Sequence, residues 1–301
     1  MQAFGTNVEE TEVSRSFLFV PGDNERKLEK ATTTNADALI IDLEDSVIPD
    51  ARPAARKLAA SYLQENHAQD VWVRINPLDT SDSLEDLRAL IPSSPFGIVL
   101  PKPENVSDTH QLAKLCDALE AENDLPLGQT KILPIATERP ATIFSLHEYT
   151  KAPPRLAGLT WGAEDLSTAV GATATRENGR WLGPYELARS LCLFAAAAAS
   201  VPAIDTVYTD FKDLDGLAEY AHRANRDGFE GMLAIHPDQV PVINEAFMPS
   251  ATVIERAERI VELFRKNPDS GALGMDGEMI DRPHWVQAKR ILKIAKKDEY
   301  S

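Results

Sequence analysis

Eight short runs of β-branched or apolar residues recur along the chain, and each is followed by a segment with helical periodicity or helix-forming composition. This alternation predicts parallel strands joined by crossover helices, and eight such units in 301 residues are typical of a (β/α)8 TIM barrel. An open doubly wound sheet is the alternative architecture. The runs are SFLFV (16–20), ALIID (38–42), VWVRI (71–75), GIVL (97–100), ILPIA (132–136), LAGLTW (156–161), AIDTVY (203–208) and GMLAI (231–235).

The chain continues well past the eighth run. We therefore predict a barrel domain over 1–245 and a C-terminal helical extension over 246–301. The extension begins with the amphipathic stretch ATVIERAERIVELFRK and ends with a second helix after Pro283. Between them, a glycine-rich segment that bears Asp276 and Asp281 is predicted to be a mobile loop, either a lid over a site or a plain surface loop.

Charge and cysteine usage restrict the class of partner. The chain has 47 acidic and 31 basic side chains, and a net charge of −16 argues against binding to nucleic acid or to an anionic membrane. Cys116 and Cys192 lie far apart without disulfide-like or zinc-like spacing, which favours a reducing compartment. The acidic first fifteen residues lack the apolar core of a signal peptide, and no apolar run is long enough to span a bilayer. A cytoplasmic location is expected.

Acidic residues follow four of the predicted strands, at the end where barrel enzymes have their active sites. Converging carboxylates raise each other's pKa unless a cation neutralises them, and oxygen ligands without clustered His or Cys select Mg²⁺, Mn²⁺ or Ca²⁺. We therefore predict a divalent cation shared by Glu138 and Asp165. The alternative is that the acids are helix N-caps and first-turn charges. The acids are Glu44, Asp45, Glu138, Glu164, Asp165 and Asp210.

Arg74 lies inside the third run, between two apolar residues. A buried guanidinium without a partner is costly, so Arg74 either points into a polar pocket or forms an ion pair. In a pocket, its fixed charge suits an oxygen that becomes negative during a reaction. The alternative is a structural ion pair with Glu44 or Asp45.

Basic residues cluster around the first run and the helix predicted after it. They are a candidate phosphate-binding region, although a basic helix face is often only solvated. His236, which precedes Pro237, is interpreted as a structural hydrogen-bonding residue and not as a general base. The basic residues are Arg15, Arg26, Lys27 and Lys30.

Taken in order, these motifs resemble the family of citrate lyase beta subunits and malyl-CoA or citramalyl-CoA lyases. The resemblance covers nearly the whole chain, and the ordered set is specific for the family although each fragment alone is weak. The motifs are RSFLFVPGDNERKLEKA, DALIIDLEDSVIPDARPAAR, VWVRINPLDT, GIVLPKPE, ILPIATERP, GLTWGAEDLSTAVGA, GMLAIHPDQV and GEMIDRPH.

The resemblance implies a (β/α)8 barrel with a C-terminal arm that reaches a neighbouring subunit in a homotrimer or hexamer. It also implies that Mg²⁺, for which Mn²⁺ can substitute, is bound by two carboxylates, and it assigns further roles residue by residue. By motif, Glu138 and Asp165 would bind the metal, Glu44 and Asp45 would lie in its outer shell, Arg74 would contact the thioester oxygen, Arg15 and Lys30 would bind the coenzyme A phosphates, and Asp281 would transfer a proton in a neighbouring subunit's site.

The implied activity is that of a Mg²⁺-dependent carbon–carbon lyase. It would cleave a 3-hydroxyacyl-CoA, such as citramalyl-CoA or malyl-CoA, into acetyl-CoA and a 2-oxoacid, or form it by Claisen condensation. One alternative is a citrate lyase beta subunit that acts on a citryl carrier-protein thioester. Another is a phosphoenolpyruvate-type mutase on the same fold. A third is a non-catalytic scaffold, which would bind no metal. The acyl group, the direction of the reaction and its stereospecificity stay open.

Overall fold

A computed structural model describes residues 14–65, 67–177 and 179–297, which fall into two compact units that divide between Asn244 and Glu245. No helix within these ranges is long and apolar enough to cross a membrane. The strands are β1 Ser16–Pro21, β2 Ala38–Asp42, β3 Asp70–Arg74, β4 Gly97–Leu100, β5 Lys131–Pro134, β6 Leu159–Thr160, β7 Arg176–Glu177, β8 Arg180–Trp181, β9 Ala203–Asp205, β10 Gly231–Ala234, β11 Ala272–Met275 and β12 Glu278–Asp281.

Helices follow the strands of the first unit and make up most of the second. They are α1 Glu25–Ala31, α2 Arg52–Leu63, α3 Ser81–Leu90, α4 Val106–Glu122, α5 Pro140–Ile143, α6 Glu164–Val170, α7 Gly183–Ala199, α8 Leu214–Asp227, α9 Gln239–Ala246, α10 Ala251–Lys266 and α11 Arg282–Lys297. Short 3-10 helices at Pro49–Ala51, Ile91–Ser93 and Leu146–Lys151 complete the connections.

The first unit is a barrel of eight parallel strands in the order β5-β4-β3-β2-β1-β10-β9-β6. Parallel bridges from Ile132 to Leu156 and from Ile135 to Thr160 join the two ends of this sheet. The Ala136 N–H also donates to the Thr160 carbonyl over 2.7 Å. The sheet therefore closes on itself, so the predicted (β/α)8 barrel is confirmed and the open doubly wound sheet is wrong.

Apolar side chains from all but one of the eight strands meet in a single core cluster. Bulky aromatic and branched residues dominate it, as is usual for the packed interior of a barrel. The cluster comprises Phe17, Ala38, Ile40, Trp72, Val99, Leu133, Ile135, Ile204 and Leu233.

Two barrel strands are shorter than their apolar runs by three residues or more. The sixth run spans six residues but β6 has two, and the seventh spans six but β9 has three. The residues from Trp161 and from Thr206 onwards leave the sheet and line the mouth of the barrel. A hairpin of β7 and β8 between α6 and α7 was not predicted, although the N-G dipeptide at 178–179 is a recognised turn signal.

The second unit consists of α10, α11 and an antiparallel hairpin of β11 and β12. The hairpin turns through Asp276 and Gly277, whose φ angles of 54° and 85° are those of a tight Asp-Gly turn. Met275 and Ile280 from its strands are buried with apolar residues of the two helices. A hairpin therefore occupies part of the segment that was predicted to be a loop, because the turn chemistry and the two apolar residues favour it. A role of this segment as a lid stays a prediction.

Candidate active site at the mouth of the barrel

A cavity of about 420 Å³ opens at the C-terminal ends of the barrel strands. Its apolar wall is formed by residues such as Phe19, Ile135 and Trp161, and its polar wall is mainly acidic. This is the expected position for an active site of the fold, and the volume suits a small polar ligand. The charged lining residues are Asp42, Asp45, Arg74, Glu138, Glu164 and Asp165.

Arg74 is positioned by the register between two neighbouring strands, which places it opposite Asp42. Its Nε and Nη2 donate to the two Asp42 carboxylate oxygens over 2.7 and 2.8 Å. Its Nη1 lies 3.2 Å from Glu44 Oε2 and 3.4 Å from Asp45 Oδ2. Burial disfavours the charge, but the bonds to Asp42 outweigh it and raise the pKa of Arg74. Arg74 therefore lines the cavity and is ion-paired, which combines the two roles that the sequence left open.

Asp42 is a site residue that sequence analysis missed. Its side chain is buried and also accepts the backbone N–H groups of Glu44 and Ser46 over 3.0 Å each. Burial alone would raise the pKa of Asp42, but the Arg74 guanidinium reverses this and lowers it. The available signal was that Asp42 ends the second apolar run and Arg74 is the next-to-last residue of the third. The ends of adjacent parallel strands meet at one edge of a sheet, so the two side chains could be expected to lie close together.

Glu138 follows β5 and is almost completely buried, with 4% of its surface exposed. Burial raises its pKa to about 8, although an N–H donated by Lys102 over 2.6 Å acts in the opposite direction. Gly162 packs directly against it, since a Cβ at Gly162 would lie 2.8 Å from Glu138 Cγ. The site thus holds a carboxylate whose charge needs a further cation.

Glu164 and Asp165 form the first turn of α6, as the alternative reading of these acids predicted. Asp165 also lines the cavity, with a side chain that is 37% exposed. Its Oδ1 lies 3.4 Å from Lys102 Nζ, so the structure gives Asp165 a cationic partner within the protein.

Lys102, in the loop after β4, completes the cluster and was not among the predicted site residues. Its Nζ donates to Glu44 Oε1 over 2.6 Å and to Asp45 Oδ1 over 3.3 Å. Glu44 is buried and its pKa is raised by burial in spite of Arg74 and Lys102, whereas Asp45 is half exposed. Glu44 and Asp45 therefore lie between Arg74 and Lys102, and each contacts both.

Three predicted residues are not brought to the cavity. Asp210 is exposed and accepts the Lys212 N–H, so three strand ends and not four supply the acids. Arg15 precedes β1, about 20 Å along the strand from its cavity end, and its Nε lies 2.9 Å from Asp37 Oδ2. Lys30 is exposed in the last turn of α1.

Asp281 and His236 each have a polar contact with a residue close to them in sequence. Asp281 belongs to the second unit, where its Oδ1 lies 2.5 Å from His284 Nδ1. This hydrogen bond lowers the pKa of Asp281. His236 accepts the Asp238 N–H at Nδ1 and stacks on Phe211 with a centroid distance of 5.0 Å, in agreement with a structural role.

The donor set of the cavity fits a hard divalent cation. Within the described ranges, no three His, Cys, Asp or Glu side chains converge closely enough to hold a metal by themselves. Glu138 and Asp165 offer two carboxylates, and Mg²⁺ is commonly held by one or two carboxylates together with water and substrate oxygens. The buried Glu138, whose charge is incompletely compensated, is the observation that supports this fit.

Comparisons with known proteins give one consistent result. The family model described as HpcH/HpaI aldolase/citrate lyase matches residues 15–237. A citrate lyase subunit beta from Leuconostoc mesenteroides subsp. cremoris is 32% identical, over 93% of this chain and 93% of the relative. A (3S)-malyl-CoA thioesterase from Cereibacter sphaeroides is 33% identical, over 93% and 94%.

A solved structure is similar over the same extent. The CitE protein of Mycobacterium tuberculosis, in complex with magnesium, acetoacetate and coenzyme A, superposes with a TM-score of 0.76 at 31% identity. The match covers 94% of this chain and 98% of the CitE chain.

Proposed function

The chain belongs to the HpcH/HpaI aldolase/citrate lyase family, and from this premise we propose that it is a Mg²⁺-dependent carbon–carbon lyase for 3-hydroxyacyl-CoA thioesters. Its products would be acetyl-CoA and a 2-oxoacid, with the reverse Claisen condensation available on the same site. The observation that carries the proposal is the arrangement of Arg74 and the Glu138–Asp165 pair on the wall of one cavity.

The reaction needs two separate positive groups. When the bond between the thioester α-carbon and the hydroxyl-bearing carbon breaks, its electron pair moves onto the thioester as an enolate. The hydroxyl oxygen becomes the carbonyl of the 2-oxoacid and releases its proton, and the enolate carbon takes up a proton. Negative charge therefore develops at two oxygens some distance apart, and each requires its own stabilising group.

Arg74 is suited to the enolate oxygen. Asp42 holds two of its nitrogens, which fixes the plane of the guanidinium at the cavity wall. The remaining Nη1 has only longer contacts of 3.2 and 3.4 Å, so it can donate to a ligand. A preorganised donor of this kind is effective because it does not need to reorient during the reaction.

Glu138 and Asp165 would hold Mg²⁺, which when bound supplies a Lewis acid for the oxygens of the 2-oxoacid portion. Glu44 and Asp45 would orient the basic groups that surround this pair, since both contact Arg74 and Lys102. Asp281 is proposed, as the family motif implies, to take a proton from the α-carbon in condensation and to give one to it in cleavage. Its hydrogen bond to His284 favours the ionised carboxylate, which is the form that accepts a proton in condensation.

A panel of thioesters tests this function. Purified protein with Mg²⁺ is mixed with malyl-CoA, methylmalyl-CoA and citramalyl-CoA, and the released 2-oxoacid, acetyl-CoA (or its acyl-CoA counterpart) and free thiol are measured separately. The proposal expects 2-oxoacid and acyl-CoA in equal amounts from at least one ester. Free coenzyme A without any 2-oxoacid would instead indicate a thioesterase, the activity named for one relative.

The same panel addresses the carrier-protein alternative, which the relatives named citrate lyase subunit beta keep open. Citryl thioesters of coenzyme A and of an acyl carrier protein are compared at equal concentration. Turnover of the carrier thioester alone would assign the citrate lyase role. No 2-oxoacid from any thioester would overturn both forms of the proposal.

A further inference from the structure

Lys102 contacts both carboxylates that are proposed to hold the cation. Its backbone N–H donates to Glu138 Oε2 over 2.6 Å, and its Nζ lies 3.4 Å from Asp165 Oδ1. A single residue thus connects the loop after β4 to the loop after β5 and to the start of α6. Any displacement of Lys102 therefore acts on both metal carboxylates together.

The ammonium group is surrounded by carboxylates. Besides Asp165, Nζ contacts Glu44 Oε1 at 2.6 Å and Asp45 Oδ1 at 3.3 Å, and the side chain is only 21% exposed. A lysine ammonium has an ordinary pKa of about 10.4, well above neutral pH, and the surrounding acids favour its charged form. Lys102 therefore contributes a permanent positive charge at this point of the cavity.

The backbone at Lys102 is also unusual. Its φ angle of 49° lies in the left-handed region, which is disfavoured for a residue with a Cβ. Left-handed non-glycine residues persist where surrounding contacts determine them, and they concentrate at functional sites. At Lys102 those contacts are the N–H bond to Glu138 and the ammonium contacts to three acids.

We propose that Lys102 is a built-in counter-ion of the acidic cluster, a positioning residue that competes with the divalent cation for Asp165. This inference rests on the proposed function, because that function supplies the cation. Two cations that share one carboxylate repel each other, so Lys102 weakens metal binding while it keeps the acids in place. Because Lys102 lowers the affinity for the divalent cation, the bound cation can exchange. Because its charge neutralises part of the negative charge, the acidic side chains are not driven apart by mutual repulsion.

The sign of the effect on metal binding distinguishes this role from a merely structural one. Lys102→Met removes the charge and keeps the length of the side chain, whereas Lys102→Arg keeps the charge. Lys114→Met is a matched control, because Lys114 is exposed on α4 and lowers the net charge equally when it is replaced. Mg²⁺ affinity is measured by calorimetry, and the thermal midpoint is measured in chelator and in saturating Mg²⁺.

We expect Lys102→Met to bind Mg²⁺ at least about tenfold more tightly, since a positive charge a few ångströms from the cation is removed. Its midpoint in chelator should fall below that of wild-type protein, and saturating Mg²⁺ should recover most of the loss. Lys102→Arg and Lys114→Met should resemble wild-type protein in Mg²⁺ affinity. Lys102→Gly, which suits the left-handed backbone, serves as a second neutral variant if Lys102→Met does not fold.

Unchanged or weaker Mg²⁺ binding by folded Lys102→Met or Lys102→Gly would overturn the counter-ion role and leave the proposed lyase function intact. An equal gain in affinity for Lys114→Met would also overturn it, because net charge alone would then account for the effect. Wild-type protein that binds no divalent cation would overturn the metal-dependent function and, with it, this role for Lys102.

Discussion

At the scale of single residues, the site depends on how each charge is compensated. Arg74 is held by Asp42 in a two-bond fork, so its charge is both stabilised and fixed in direction. Glu138 accepts one backbone N–H, and burial, with Asp165 and Glu44 nearby, raises its pKa to about 8. The charge of Arg74 is thus compensated within the protein, whereas, among the described residues, the Glu138 carboxylate lacks a cation and can bind one supplied by a ligand.

The fork explains why Arg74→Lys should not be a conservative change. A lysine ammonium cannot donate to both Asp42 oxygens and also present a planar donor to the enolate oxygen. We expect kcat to fall by roughly a hundredfold or more, the usual effect of losing one preorganised oxyanion donor. Steady-state kinetics and circular dichroism check this together. A folded Lys variant with wild-type turnover would restrict Arg74 to the ion pair with Asp42.

Glu138→Gln tests the metal assignment. Glutamine keeps the size of the side chain and can still accept the Lys102 N–H, but it carries no negative charge. Mg²⁺ binding measured by calorimetry should weaken, and lyase turnover should fall with it. For wild-type protein, chelator should abolish turnover and Mg²⁺ or Mn²⁺ should restore it. Full activity of the Gln variant without added metal would contradict the assignment.

At the scale of elements, buried charge networks tie the helices to the strands below the mouth. Glu120 near the end of α4 has no exposed surface and accepts the N–H groups of Gly128 and Thr130 over 2.8 and 2.9 Å. Arg155, just before β6, donates to the same carboxylate through Nη1 over 2.8 Å and also contacts Asp117. These bonds connect α4 with the segments that enter β5 and β6.

This network predicts a specific dependence of stability on pH. Burial alone would raise the pKa of Glu120, but Arg155 and the two N–H groups overcome it and lower the pKa to about 2, from 4.5. A carboxylate whose pKa is lower in the folded state than in the unfolded state stabilises the fold at pH values above the unfolded pKa. For Glu120 this contribution is lost as the pH falls from about 4.5 towards 2. The contribution at neutral pH is up to about 3 kcal/mol.

Glu120→Gln should therefore reduce the free energy of unfolding at pH 7 by about 2–3 kcal/mol. In addition, the NH₂ group of the glutamine would face a backbone N–H, so that two donors would oppose each other. The difference from wild-type protein should shrink as pH falls below about 4.5, because the wild-type carboxylate then becomes protonated. Urea unfolding at several pH values measures this, with Glu122→Gln as an exposed control on the same helix. A difference that stays constant with pH would contradict the assignment.

At the scale of the whole molecule, the chain combines a closed barrel with a separate compact unit that carries Asp281. We propose, from the family motif, that this acid serves the cavity of a neighbouring subunit in a homo-oligomer. Within its own unit, Asp281 is the last residue of β12 and is followed directly by α11. A hairpin and a helix together give the carboxylate a defined local position, which a flexible loop would not.

Complementation between inactive variants tests this arrangement. Asp281→Asn should retain Mg²⁺ and ligand binding but lose nearly all turnover, and Arg74→Ala should also be inactive. When the two variants exchange subunits, part of the activity should return, because some pairs combine an intact Arg74 cavity with an intact Asp281. Normal turnover of Asp281→Asn would remove the acid from the mechanism. Exchange without recovery would place it in the same subunit as the cavity it serves.

The sequence by itself determined the architecture and the end of the barrel that carries the site. Eight apolar runs alternating with helical segments predict the barrel because periodicity and propensity are local properties of the chain. The placement of Arg74, Glu138 and Asp165 at one mouth follows from the polarity of parallel strands. The same polarity separates Arg15, which precedes β1, from that mouth. Closeness in sequence groups Arg15 with the basic residues of α1, which obscures this separation.

Only the tertiary structure decided which charges meet. The pairing of Asp42 with Arg74 depends on the register of two strands that are 32 residues apart. The contacts of Lys102 depend on a left-handed backbone angle and on three loops that converge at the mouth. Neither is encoded in local periodicity, because ion pairs form between neighbours in space, and closure of the barrel selects those neighbours.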